Sequence, residues 1–183
     1  MSLVNLPRHI SVHCSATPDY GNIIGAHQID IWHKKEGFDM IGYHYVVKRD
    51  GKVEAGRPVD RIPAAVKGHN AGSLAVCWIG TREPTKVQTD ALISLVANLA
   101  VKYKINIENI KGHREYPNVN KDCPNIPGSI LRLAVANKIG KTSQGRPMAT
   151  IAFQLQKGKS SGTSASFLDR FFRFFGSIFN RNS

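Results

Sequence analysis

The chain has 183 residues, enough for one domain that buries a sizeable core, and its apolar share of 42% and charged share of 21% are ordinary for a globular protein. Charge is the unusual feature: 25 Lys plus Arg against 13 Asp plus Glu give +12, a surface that attracts polyanions, and nucleic acid, anionic lipid and acidic cell-wall polymers all fit that sign. No run approaches the eighteen or so apolar residues of a spanning helix, and Met1 to His9 lack an apolar stretch behind a basic start, so neither a membrane span nor a secretory signal is expected and synthesis in the cytoplasm is.

His9 to His13 reads as a short buried strand, bounded by Pro7 and by the turn residues Pro18, Asp19 and Gly21. Ile24 to Lys35 places Ile24, Ile31 and Trp32 on a helical period, and Gly37 closes the segment. Tyr43 to Lys48 and Lys52 to Ala55 flank Asp50-Gly51, a hairpin signal of the type in which both central residues take positive φ. Leu74 to Gly80 is an almost continuous apolar run of strand length, as a central strand covered on both faces would be. Thr85 or Thr89 can cap a long helix to about Tyr103, with Leu92, Leu95, Val96, Leu99 and Ala100 inward. Asn109 to Gly112 is a further strand, a loop follows to Pro127, and a last helix covers about Gly128 to Lys138. Strands interleaved with helices, one pair of them a hairpin, predict an α/β fold with a mixed central sheet flanked by helices, occupying residues 1–139.

Composition then changes. Residues 140–165 are rich in Gly, Ser, Thr, Lys and Gln, and read as a flexible basic linker. Residues 166–183 hold Phe167, Phe171, Phe172, Phe174, Phe175 and Phe179, most of the 8 phenylalanines in the chain. On a helical wheel these form one broad apolar stripe, with Arg170 and Arg173 on the other side: a C-terminal amphipathic helix suited to lie in a membrane interface. Docking of that helix on the domain is the competing reading.

Three side chains suited to zinc sit where strands end: His13, His113 and, ten residues further on, Cys123. Two imidazoles and one thiolate leave a fourth tetrahedral position for water, as catalytic zinc sites do. Residue types alone leave packing open for all three, since 7 histidines are scattered along the chain. The 3 cysteines cannot all pair within the chain, which fits a reducing compartment with buried or metal-bound thiols.

The words around these residues are more specific. His13-Cys14-Ser15-Ala16-Thr17, Gly42-Tyr43-His44-Tyr45, Lys48-Arg49-Asp50-Gly51 with Glu54-Ala55-Gly56-Arg57, Lys67-Gly68-His69-Asn70, Gly112-His113-Arg114-Glu115 and Lys121-Asp122-Cys123-Pro124 resemble, in order, the phage-lysozyme type of N-acetylmuramoyl-L-alanine amidase, of the peptidoglycan recognition protein superfamily. The likeness runs from about residue 8 to residue 138. It implies one Zn²⁺ per chain on His13, His113 and Cys123, with Tyr43 and Lys121 as the catalytic pair, and hydrolysis of the amide between N-acetylmuramic acid and L-alanine. A lysine beside the metal would stabilise charge on the carbonyl oxygen, and a tyrosine hydroxyl would hydrogen-bond the attacking water or relay its proton. Two departures stand out: Ala65 occupies a position where relatives often carry histidine, and the stretch from His113 to Lys121 is longer by a residue or two.

Other candidates carry plainer expectations. Cys14 should point away from His13 and pack, Cys77 belongs to the core, and His44 should make a structural hydrogen bond. His69 can line the groove or not, His27 and His33 belong to the surface or to the surroundings of the site, and Asp122 is out of register for a metal ligand. Glu115 is either a base or a pin for its loop. The expected protein is a monomeric phage endolysin, made in the host cytoplasm and acting on the cell wall. Its partners are peptidoglycan and, through the tail, an anionic membrane or outer-membrane surface. A recognition module without catalysis, a muropeptide-recycling amidase and a nucleic-acid binder are the rivals. The last lacks aromatic residues interleaved in a basic patch.

Overall fold

The computed structural model describes residues 4–18 and 22–142. The linker beyond Thr142 and the amphipathic tail expected over 166–183 lie outside the described residues. The ordered elements are strands β1 (His9–Cys14), β2 (Tyr45–Val47), β3 (Val53–Ala55), β4 (Ser73–Trp78) and β5 (Ile110–Gly112), and helices α1 (Ala26–Lys35), α2 (Lys86–Lys102) and α3 (Gly128–Thr142). They build one mixed sheet in the order β3-β2-β4-β1-β5, with only the β2–β3 pair antiparallel.

Alternation along β1 decides what each face does. Ile10, Val12 and Cys14 point into the main core, where Leu74, Val76 and Trp78 of β4 meet Leu92, Val96 and Leu99 of α2 and Leu131 and Val135 of α3. His9, Ser11 and His13 point to the other face. There a smaller cluster of Ile24, Ala26, Ile29, Ile41, Val46 and Ile79 seats α1 over the β2 half of the sheet. All six residues of β4 are buried, as its apolar run predicts for a strand covered on both sides.

Local chemistry explains the boundaries. Thr85 caps α2: its hydroxyl accepts from Gln88 N–H at 3.1 Å while the Gln88 side chain accepts from Thr85 N–H at 3.1 Å, a reciprocal box. Glu54 accepts the Ala26 N–H at 2.8 Å and so places a carboxylate at the start of α1. The inward residues of α1 are Ala26 and Ile29, whereas Ile31 is only partly buried.

The hairpin differs from expectation in its turn. Lys48 and Lys52 are bonded across it at 2.8 Å, Gly51 N–H reaches Lys48 O at 2.9 Å, and Gly51 has φ +81°. It is a three-residue loop, a turn followed by a left-handed glycine, so Gly51 is the one central position with positive φ. The last helix also runs on to Thr142, three residues into the stretch read as linker.

Candidate active site

Strands β1 and β5 are parallel neighbours with Val12 opposite Gly112, so the next residue of each, His13 and His113, leave the sheet side by side. Their ring centroids are 4.6 Å apart. Cys123 arrives from the following loop, and glycine makes that approach possible: a Cβ on Gly112 would stand 2.7 Å from Pro124 Cδ. The loop is fastened by Arg114 N–H to Cys123 O at 2.8 Å and by Trp78 Nε1–H to Pro124 O at 3.0 Å. Cys14 N–H also points at Cys123 Sγ, 3.2 Å away.

One ligand atom from each of His13, His113 and Cys123 lies within 4.8 Å of the others. Donors on a tetrahedral ion with bonds near 2.1 and 2.3 Å stand about 3.6 Å apart, and Cys123 Sγ is 3.9 Å from His13 Nδ1. His13 is 1% exposed, yet its Nε2 has no hydrogen-bond partner, a costly state for a buried polar atom unless something outside the chain satisfies it. Burial first, then the positive charge of His113 and Lys121, hold His13 well below the ordinary 6.5, and burial with Lys121 lowers His113. Both imidazoles are therefore neutral at neutral pH, the form in which histidine ligates. A hydrogen bond shared with Cys14, then burial, push the Cys123 thiol up, so a cation binding there would have to displace its proton. The donor set fits a borderline divalent metal.

Tyr43 stands between two imidazoles, with centroids 5.2 Å from His13 and 5.5 Å from His33. His33 is itself fixed, because its Nδ1 accepts Gly42 N–H at 2.9 Å and its ring lies 5.4 Å from Phe38. Burial, with the neighbouring sulfurs Cys77 and Cys123 adding to it, raises the Tyr43 hydroxyl well above 10, so it stays protonated. Lys121 is exposed and near enough for its charge to bear on both His13 and His113.

The remaining candidates separate cleanly. Both ring nitrogens of His44 are used structurally: Ala75 N–H donates to Nδ1 at 2.9 Å, and Nε2–H donates to Arg61 O at 3.0 Å. Asp122 pairs with Arg114 at 2.7 Å and is not in the metal-ligand cluster. Cys14 and Cys77 are buried in the domain interior. His69 is exposed, its ring 5.2 Å from that of Tyr116. Glu115 accepts Gly112 N–H at 2.8 Å and two contacts from Arg132 at 2.8 and 3.1 Å, so both its oxygens are engaged. Sequence reasoning missed Arg132, and nothing in a lone arginine on the last helix signals that partner. It also missed His9, although period-two alternation places it on the His13 face.

Residues 4–126 match the N-acetylmuramoyl-L-alanine amidase family. The endolysin of Escherichia phage T7 is 37% identical over 125 residues, 64% of this chain and 80% of that protein. The solved N-acetylmuramoyl-L-alanine amidase LysC from Clostridium intestinale URNW superposes with a TM-score of 0.62 at 28% identity, covering 70% of this chain and 85% of that one. Drosophila peptidoglycan recognition protein SD shares the fold, with a TM-score of 0.58 at 24% identity over 73% of this chain and 82% of its own.

Proposed function

The chain belongs to the N-acetylmuramoyl-L-alanine amidase family, and on that premise we propose that it is a zinc-dependent endolysin cutting the amide between N-acetylmuramic acid and the first L-alanine of the peptidoglycan stem. The observation that carries this reading is the convergence of His13, His113 and Cys123 where β1 and β5 end, with one ligand atom of each within 4.8 Å of the others. These three residues would hold one Zn²⁺ per chain, and three protein donors leave a place for water. The chemistry a zinc ion supplies there is Lewis acidity, which brings the pKa of water from about 16 towards about 7.

The chain's own residues do the rest. Water adds to the carbonyl carbon, negative charge gathers on the carbonyl oxygen, and the carbon–nitrogen bond breaks as the leaving nitrogen takes up a proton. The Lys121 ammonium would stabilise that oxygen, a role supported by the influence of its charge on both ligand imidazoles. Tyr43, kept protonated by burial, is the hydrogen-bond donor and proton relay beside His13.

The biological setting proposed is lysis of the cell wall after synthesis in the host cytoplasm. Residues 140–183 carry seven Lys plus Arg against Asp169, a net of +6, and with the phenylalanines of 166–183 this composition supports binding to an anionic membrane surface. Digestion of purified peptidoglycan, with the products identified by mass spectrometry, tests the activity. Free L-alanine amino termini are expected, lost with a chelator and restored by Zn²⁺. New reducing sugar ends would make the enzyme a glycosidase, and binding without any released ends would make it a recognition module; either result overturns the reading.

A further inference from the structure

The Cys123 sulfur faces two ways. On one side it lies 3.9 Å from His13 Nδ1, as a member of the ligand cluster. On the other it meets Cys14, the residue after His13 on β1. Cys14 N–H points at Cys123 Sγ from 3.2 Å, the Cys123 thiol reaches Cys14 O at 3.9 Å, and the two thiols share a hydrogen bond. Cys14 belongs to the main core and Cys123 packs against that same core, so the two side chains touch one cluster.

The proposed hydrolysis gives Cys14 no task, although its sulfur stands beside a ligand sulfur. A disulfide joins residues whose Cα atoms are about 4.4–6.8 Å apart, and a sulfur 3.2 Å from its partner's backbone nitrogen is within that reach. All 3 cysteines are free thiols. The remaining one, Cys77, stands opposite His13 in the β1–β4 register, is wholly buried, and turns its thiol to Trp78 O at 3.6 Å. Cys14 and Cys123 are therefore the pair placed for thiol–disulfide exchange, and one of them is also claimed by the metal cluster.

We infer that Cys14 and Cys123 are a reversible modification site, closed as a disulfide by a small-molecule disulfide such as oxidised glutathione, and that this bridge competes with metal for the Cys123 sulfur. The competition rests on the zinc reading above; the bridge does not. Cys123 is the more exposed of the two and reacts first. Its Sγ forms a bond to one sulfur of the oxidant, the S–S bond of the oxidant breaks, and the departing thiol keeps the electron pair and takes up the Cys123 proton. Cys14 Sγ then attacks Cys123 Sγ, and the second thiol leaves with the Cys14 proton. The two cysteines lose two electrons, and the oxidant gains them as two thiols. A bridged Cys123 offers no thiolate, which leaves two imidazoles where three donors stood, and a Cys123 committed to metal has no sulfur free for exchange. Metal taken up in a reducing compartment would thus protect the pair in an oxidising one, and a metal-free chain would be locked there.

The test exposes the full-length chain, stripped by a chelator or loaded with zinc, to oxidised glutathione. In the stripped protein two of the 3 thiols should disappear, and peptide mapping by mass spectrometry should join Cys14 to Cys123 with a loss of about 2 Da, the two hydrogens given up. Zinc uptake by that oxidised protein should fall at least about tenfold and return after a dithiol reductant. The zinc-loaded protein should oxidise at least about tenfold more slowly. Cys14→Ala should take up zinc like the wild type and, once stripped and oxidised, carry a glutathione adduct on Cys123 in place of the bridge. Three free thiols in the oxidised wild type, a bridge that includes Cys77, or an adduct left on Cys123 beside a free Cys14 would overturn the site, and all three are read without the variant. Equal oxidation rates with and without zinc would overturn the competition. A wild type that takes up no zinc before oxidation defeats the metal reading and the competition with it, while the thiol count still decides the bridge.

Discussion

Glu115 offers a way to separate a residue that holds the site from one that reacts in it. Its carboxylate and Arg132 are about three-quarters buried, with side-chain exposures of 26% and 23%. Glu115→Gln keeps an acceptor for Gly112 N–H but removes the charge that faces Arg132. A hydrogen bond to a charged group is worth about 1.5–3 kcal/mol and an exposed ion pair less than about 1 kcal/mol, so partial burial puts the loss near 1–2 kcal/mol. At about 2 cal/mol/K of unfolding entropy per residue over roughly 140 residues, that lowers Tm by about 3–7 °C. Glu115→Ala also strands the Gly112 N–H and should cost about 1 kcal/mol more. Arg132→Met removes the other partner, and the double variant Glu115→Gln/Arg132→Met should fall short of the summed losses by roughly 1 kcal/mol, since both singles break one interaction. Thermal melts give the stabilities, and peptidoglycan digestion at saturating zinc gives turnover, expected within about threefold of wild type for Glu115→Gln. Additive stabilities would refute the pin. So would a fall of about a hundredfold or more in turnover with zinc content and Tm intact, because the carboxylate would then be acting in the chemistry.

Four further outcomes follow from the same geometry. Purified protein should carry about one zinc per chain and Cys123→Ser clearly less, because a hydroxyl is a poorer zinc ligand than a thiolate; elemental analysis finding equal zinc in both would remove Cys123 from the ligand set. Tyr43→Phe and Lys121→Ala should keep zinc and fold but lose at least about tenfold in turnover, a barrier rise of roughly 1.4 kcal/mol; wild-type rates for both would refute their roles. His9, His13, His33, His44 and His113 are all held below 6.5, burial being the first cause in each, so the unfolded chain binds more protons than the folded one below that pH. Their contribution to stability is complete above about pH 6.5 and is lost as pH falls towards the folded values, so the Tm of chelator-treated protein should drop between pH 7.5 and pH 5, and a flat profile would contradict the burial argument. Truncation after Thr142 should leave the domain folded and active on purified peptidoglycan while vesicle co-sedimentation with anionic lipid is lost; equal partitioning of the two forms would exclude a membrane role for the tail.

Much of the fold was legible because its signals are local. The apolar run at Leu74 to Gly80 has the length and composition of a strand buried on both faces, and Thr85 with Gln88 three residues on is a helix start written in hydrogen-bonding groups. Several motif words proved to be scaffolding. Glu54 caps α1, and Arg57 is buried with its guanidinium on Ile41 O, Ile62 O and Asp39. Asn70 holds the Ala65 and Val66 N–H groups, and His44 joins β4 to the Arg61 carbonyl. A motif alone does not distinguish a residue that holds a loop from one that meets substrate. That distinction depends on which groups lie across the fold, and the contacts concerned span up to 110 residues of sequence, as Cys123 Sγ to His13 Nδ1 does.

The two faces of β1 show why structure and chemistry could be read separately in one strand. Ile10, Val12 and Cys14 belong to the core formed with α2 and α3, so the backbone carrying His13 is held by that core, against which Cys123 also packs. His9, Ser11 and His13 occupy the opposite face, where apolar residues would have been expected had a helix covered that half of the sheet. Ser11 and Ser73 satisfy one another there at 3.0 Å, which leaves the polar strip leading to the ligand cluster with no unpaired hydroxyl at its centre. Because β1 and β5 are parallel and in register, Ser11 lies opposite Lys111, and the next position on the same face brings His13 beside His113. A single alternation, apolar on one side and polar on the other, therefore decides which residues of β1 the core holds and which reach the ligand cluster.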